Sequence, residues 1–114
     1  MNITYKFIKV DGTETTHSND LRGEPGTWYD QLHTIFDQHF GPDIEVEHVN
    51  VWYDNHYTDM FVDETGVLKQ LPVNPKATAI YRANVLAHAV NPPNPEEMPP
   101  IHGDAILFEK KVWY

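Results

Sequence analysis

Residues 44–62, IEVEHVNVWYDNHYTDMFV, decide the fold. Their β-branched and aromatic residues fall in two runs, 44–53 and 56–62, on either side of Asp54–Asn55. Runs of that length and composition predict strands, and an Asp-Asn pair predicts the tight turn between them. A further turn signal, DETG at 63–66, precedes VLKQL. Residues 44–71 therefore read as a three-stranded meander, with Gly66 where a turn would need positive φ. The same stretch poses the functional question. It is either a catalytic or metal site built from histidines and acids, or a hairpin with an acidic, aromatic face.

Working outward, NITYKFIKV at 2–10 alternates, placing Ile3, Tyr5 and Phe7 on one side of a strand. Asp11–Gly12 predicts a turn, and TETTH a returning strand. Trp28, Leu32, Ile35, Phe36 and Phe40 follow helical spacing, so a helix is expected over 28–40. Thr27 would cap it with Asp30 three residues on, and Gly41–Pro42 would end it. Asn74 followed by Pro75 predicts a second helix, ending near His88. Five prolines in residues 91–100 exclude a regular element, so about 89–100 reads as a stiff loop or exposed arm. AILFEKKVWY, 105–114, reads as a closing strand. The expectation is one domain over 1–114. Its class is α+β, a mostly antiparallel sheet with two helices in the order β-β-α-β-β-β-α-β, with a start that also fits a β-grasp-like opening.

A chain of 114 residues can bury a core without staples. With no cysteine, thiolate metal sites, disulfides and cysteine nucleophiles are excluded. No apolar run is long enough for a signal peptide or membrane span, so no membrane partner and a cytoplasmic location are expected. Net charge is −9, and it is lopsided: residues 20–64 hold eleven acids against Arg22 alone. Such a field repels phosphates, which argues against direct nucleic-acid binding, and attracts basic protein surfaces.

Seven histidines raise a metal reading. His33 and Asp37 lie four apart on the first helix, and strand pairing would have to bring His48 and His56 together. Neither HExxH nor a two-histidine finger spacing is present, and no cofactor is implied. Ser18 is the sole serine and lacks a nucleophile-elbow context; P-loop and Gly-x-Gly-x-x-Gly patterns are missing too. His102, in IHGD, reads as a bend into the last strand. The stronger lead is the mixture of acids and aromatics: Asp30, Asp37, Glu45, Glu47, Trp52, Asp54, Tyr57 and Asp59. Aromatic side chains anchor interfaces, and carboxylates steer basic partners towards them. The bland alternative is that alternate strand residues fill the core while the acids solvate the outside.

The segments LPVNPKAT, 71–78, and GDAIL, 103–107, with the acidic turn Asp63–Gly66 before them, resemble a family of short uncharacterised proteins carried by bacteriophages and mobile elements. The likeness covers the second half of the chain. It implies an accessory phage or plasmid protein that binds and blocks a host protein, and it supplies no catalytic residue; the acids themselves point to a basic partner and, displayed at phosphate-like intervals, would imitate nucleic acid. Two other readings stand beside this one: a metal-binding protein or metal-dependent enzyme using His33, Asp37, His48 and His56, and a homo-oligomer formed through the C-terminal strand as an exposed edge.

Overall fold

A computed structural model describes residues 1–88, 90, 91, 93, 94 and 97–114. The elements are β1 (Asn2–Ile8), β2 (Glu14–Asp20), α1 (Tyr29–Phe40), β3 (Val46–Tyr53), β4 (His56–Asp63), α2 (Pro75–His88) and β5 (Ala105–Phe108). The fold is α+β, with two helices and one antiparallel sheet in the order β2-β1-β5-β4-β3. The succession of hairpin, helix, hairpin, helix and closing strand follows the expected pattern.

The sheet carries a core on each face. On one side Ile3, Tyr5, Phe7, Phe61, Ile106 and Phe108 pack with Trp28, Leu32, Ile35 and Phe36, the stripe expected of α1. On the other side Ile8, Val51, Met60, Val62 and Leu107 pack with Ala77, Ile80 and Tyr81 of α2. Strand periodicity of two sends neighbouring residues to opposite helices. In β5 all four residues are buried. A short continuous apolar run of this kind belongs to a strand covered on both faces.

That placement corrects the expectation for the C-terminus. β5 pairs with β1 on one side and β4 on the other, so it is the middle of the sheet and offers no edge for self-association. It also stops at Phe108, after which the chain bends away. The edge strands are β2 and β3, which pair with no further strand among the described residues. A β-grasp opening, in which the strand after the helix lies parallel to β1, is not formed: both neighbours of β1 are antiparallel, and β3 lies at the far edge.

Residues 64–70 form consecutive turns in place of a third meander strand. Gly66 does not take positive φ there; Gln70 does, at 57°. Gly66 is needed for closeness instead, since a Cβ on it would lie 2.7 Å from the carbonyl oxygen of His102. Thr27 does not cap α1. Its hydroxyl donates to the Glu24 carbonyl (2.6 Å), closing the preceding turn, and Trp28 takes the cap position without a side-chain bond.

α2 starts as its sequence indicates. Asn74 Oδ1 accepts from the Ala77 amide (3.1 Å). Its Nδ2 donates to the carbonyls of Ile8 and Gly103 (3.0 Å each), in full burial. Nearby, the Thr78 hydroxyl accepts from the Ile101 amide (2.9 Å), and the Gly103 amide donates to Pro72 (2.8 Å). Segments 71–78 and 103–107 therefore meet in a structural joint, which gives Asn74, Thr78 and Gly103 a structural task. The expected Pro-rich arm, 89–100, falls in part outside the described residues; at its far end, Met98 is buried and its carbonyl accepts from Arg82 Nη2 (2.8 Å). No helix among the described residues is long and apolar enough to cross a membrane.

Candidate functional site: the β3–β4 hairpin

Asp54 and Asn55 form the two-residue turn with φ of 51° and 64°. Two successive left-handed residues make the primed turn that suits strand twist, and Asp and Asn tolerate that conformation. This turn fixes the register, pairing Tyr53 with His56, Trp52 with Tyr57, Asn50 with Asp59 and His48 with Phe61. Phe61 belongs to the α1-side core, so His48, Asn50, Trp52, Tyr57 and Asp59 share that side. Val51, Met60 and Val62 belong to the α2-side core, so Glu47 and His56 share the other.

Trp52 and Tyr57 face each other across the hairpin with ring centroids 4.9 Å apart, edge to face. They form the closer, non-hydrogen-bonded type of pair. Tyr57 is 48% exposed, and Trp52 is half-buried. Asp54 at the turn and Glu45 and Glu47 at the opposite end are exposed. Carboxylates thus lie at both ends of the edge hairpin that carries the aromatic pair, Glu47 on the opposite face from it.

Asp59 is not part of that surface. It is 3% exposed and accepts from His48 Nε2 (2.6 Å) and from the amides of Val112 (2.7 Å) and Trp113 (2.9 Å). It is the clasp that holds the chain after β5 against the sheet. The His48 ring stacks on Trp113, centroids 5.8 Å apart. An acid between aromatics in sequence reads as a surface residue. Only the pairing register reveals that it points inwards.

Asp30 and Asp37 are exposed on α1, on the side away from the sheet. Glu47 projects to the α2 side, so the acids expected as one set divide between two sides of the molecule. The four metal candidates also separate. His33 packs on Tyr29 and Phe36 (centroids 4.3 and 5.3 Å), while Asp37 is exposed on the helix. His48 and His56 project to opposite faces because the register pairs neither with the other. Among the described residues, no group of three or more histidines and acids is placed to hold a metal ion.

His56 has a different task. Its Nδ1 meets the Asp54 carbonyl (3.0 Å) and its Nε2 the Glu109 carbonyl (2.5 Å). Both partners are acceptors, so the two bonds form together only when the ring is protonated and donates from each nitrogen. These two bonds, to Asp54 first, raise its pKa above the ordinary 6.5.

Two polar groupings escaped sequence reading. Tyr5, His17 and His39 meet under the C-terminal turn of α1. The Tyr5 hydroxyl lies 2.8 Å from His39 Nε2, and the two imidazole rings are 4.8 Å apart. Burial, and then the neighbouring His17, lower the His39 pKa below 6.5. Next to it lies a cleft of about 280 Å³ lined by His39, Phe40, Ile44, Asp63, Lys69, Leu71 and Asp104. Its carboxylates are internally engaged, Asp63 by Lys69 and Thr65, Asp104 by the Val10 amide. Burial pushes the Asp63 pKa up, but the Lys69 ammonium and the Thr65 donors outweigh it and leave the group below its ordinary value. Nothing local in the sequence links residues 5, 17 and 39.

Comparison with family models, with curated proteins and with solved structures finds no match to this chain.

Proposed function

We propose that this is a small acidic, non-enzymatic binding protein that engages a basic protein through the β3–β4 hairpin. The observation that carries the reading is the Trp52–Tyr57 pair on an edge hairpin whose two ends carry exposed carboxylates, Asp54 at the turn and Glu45 and Glu47 at the far end. Aromatic pairs of this kind supply contact area, and the carboxylates supply steering and register. The net charge of −9 strengthens both the attraction and its salt dependence. Asp30 and Asp37 contribute to the long-range field from the far side of α1, and Asp59 holds the fold. The likeness to phage-borne accessory proteins fits a basic bacterial host protein in the cytoplasm as the target, blocked or diverted by the hairpin.

The test is affinity capture from bacterial lysate with the wild-type chain and with a Glu45→Lys/Glu47→Lys/Asp54→Lys variant. Salt is raised from about 0.1 M to about 1 M, over which the screening length falls from about 10 Å to about 3 Å. The expected result is a basic protein held by the wild type, released by salt and not held by the variant. Equal capture by both chains would sink the proposal.

A further inference from the structure

The turn that sets the hairpin register also determines which backbone groups of β3 are unused by the sheet. A two-residue loop makes Tyr53 and His56 a hydrogen-bonded pair. Bonding then alternates, so Glu47, Val49, Val51 and Tyr53 turn their amides and carbonyls to β4. Val46, His48, Asn50 and Trp52 turn theirs outwards, along the edge. Two bonds confirm the phase. The Glu64 amide donates to the Glu45 carbonyl (2.9 Å), inside the hairpin. The Asn50 carbonyl instead accepts from Asn84 Nδ2 of α2 (3.2 Å), outside it.

The Asn84 contact stands where the amide of another strand would stand. It is an incomplete substitute: Asn84 Oδ1 is enclosed with no hydrogen-bond partner among the described residues. An enclosed carbonyl without a donor costs free energy. A strand that takes over the Asn50 carbonyl lets the Asn84 amide turn to water.

We infer that β3 is a rail for strand addition and that its occupant is an extended basic segment of a partner, laid beside Val46–Tyr53 as a sixth strand. This rests on the binding reading above and names its mode. Charge selects the occupant. A second copy of this chain, paired antiparallel about Asn50, would set its Asp54 opposite Val46, between Glu45 and Glu47, at both ends of the ladder. Like charges so placed destabilise pairing. A segment with Lys or Arg at each end and β-branched residues between meets carboxylates at both ends and the Trp52–Tyr57 pair near one. The other edge strand, β2, lacks these anchors, since its sequence ETTHSND contains no aliphatic or aromatic residue other than histidine.

The probe is a synthetic eight-residue peptide with Lys and Arg at its ends and alternating Val and Thr between, beside a version N-methylated at alternate amides. Both carry the same charges and side chains. The expected result is binding of the first, and binding of the second weaker by about tenfold or more, because one edge of its ladder is gone. In the complex, hydrogen exchange should slow at Val46, His48, Asn50 and Trp52 and stay unchanged at Glu47, Val49, Val51 and Tyr53. Asn50→Pro removes an outward amide and spares the ladder to β4, so it should weaken the peptide to a similar degree. Equal binding of the two peptides, or slowing without alternation, overturns strand addition and leaves the acidic surface standing. Peptide binding that is unaffected by Glu47→Lys/Asp54→Lys, or no binding of the unmethylated peptide, overturns both.

Discussion

The two edges of the sheet are built from opposite materials. β2 is polar along its length, with Glu14, Thr15, Thr16, Ser18 and Asp20 exposed. On the α2-side face beside it the Thr4 and Ser18 hydroxyls meet (3.1 Å), and Lys76 of α2 reaches only Glu14 at the strand's start (3.6 Å). β3 is aliphatic and aromatic, wedged between α2 on one side and the row of His48, Phe61 and Trp113 on the other. Each edge leaves backbone groups open. Only one joins them to side chains that reward contact. A polar edge stays single because pairing buries nothing apolar, whereas an apolar edge guarded by like charges stays single until a partner of opposite charge arrives.

The contrast is sharpest in what anchors each edge. Removing the buried clasp with Asp59→Ala leaves His48 and two backbone amides without an acceptor. It should cost about 3–5 kcal/mol in denaturant unfolding. The corresponding change on the polar edge, Asp20→Ala, breaks an exposed contact to the N-terminal amine and should stay within about 0.5 kcal/mol. A similar loss for both would mean that Asp59 is solvated and the clasp absent. For binding, Trp52→Ala should weaken the basic peptide by about 1–2 kcal/mol. Thr16→Pro, which strikes an outward amide of β2, should leave the titration curve where it was. If the β2 variant weakens binding instead, the rail has been assigned to the wrong edge.

The smallest effects are in pH dependence, and the edges differ in sign. His39, beneath β1 and β2, has its pKa lowered by burial and by His17. Below pH 6.5 the unfolded chain takes up that proton first, so stability falls as acid is added. His56, at the tip of the β3 hairpin, has its pKa raised. Its contribution is complete below 6.5 and is lost as pH rises through the higher folded value. Thermal melts between about pH 5 and pH 8 should therefore lose acid sensitivity in His39→Gln and lose part of the alkaline decline in His56→Gln. Slopes of the same sign in the two variants would contradict the bonding described for one of them.

Much of this architecture is legible locally. The alternation of Ile3, Tyr5 and Phe7, the spacing of Leu32, Ile35 and Phe36, the Asp54–Asn55 turn and the Asn74–Pro75 helix start are each settled by a few neighbouring residues, and each forms as read. What fails is what depends on distant partners. VLKQL, 67–71, reads as a third meander strand after its turn, but Gly66 sits against His102 and residues 64–70 form consecutive turns instead. Asp59 is an acid in an aromatic stretch until residues 112 and 113 arrive to donate to it. The apolar run of β5 signals burial, yet nothing in it says that β1 and β4 are the strands on either side. The hairpin site was legible in its aromatic and acidic members and illegible in which of its acids share a side.

The position of β5 also has a consequence for how the chain is made. The hairpins β1–β2 and β3–β4 each close through two to five residues, but they join only through the strand that is last in the chain. During synthesis, until residues 105–108 leave the ribosome, β1 and β4 each present an inner edge as sticky as any in the finished sheet. The nascent chain must therefore survive with two half-sheets open to strangers, and a slow codon or a destabilised β5 should surface first as aggregation of newborn protein, well before any loss in the thermal stability of the folded molecule.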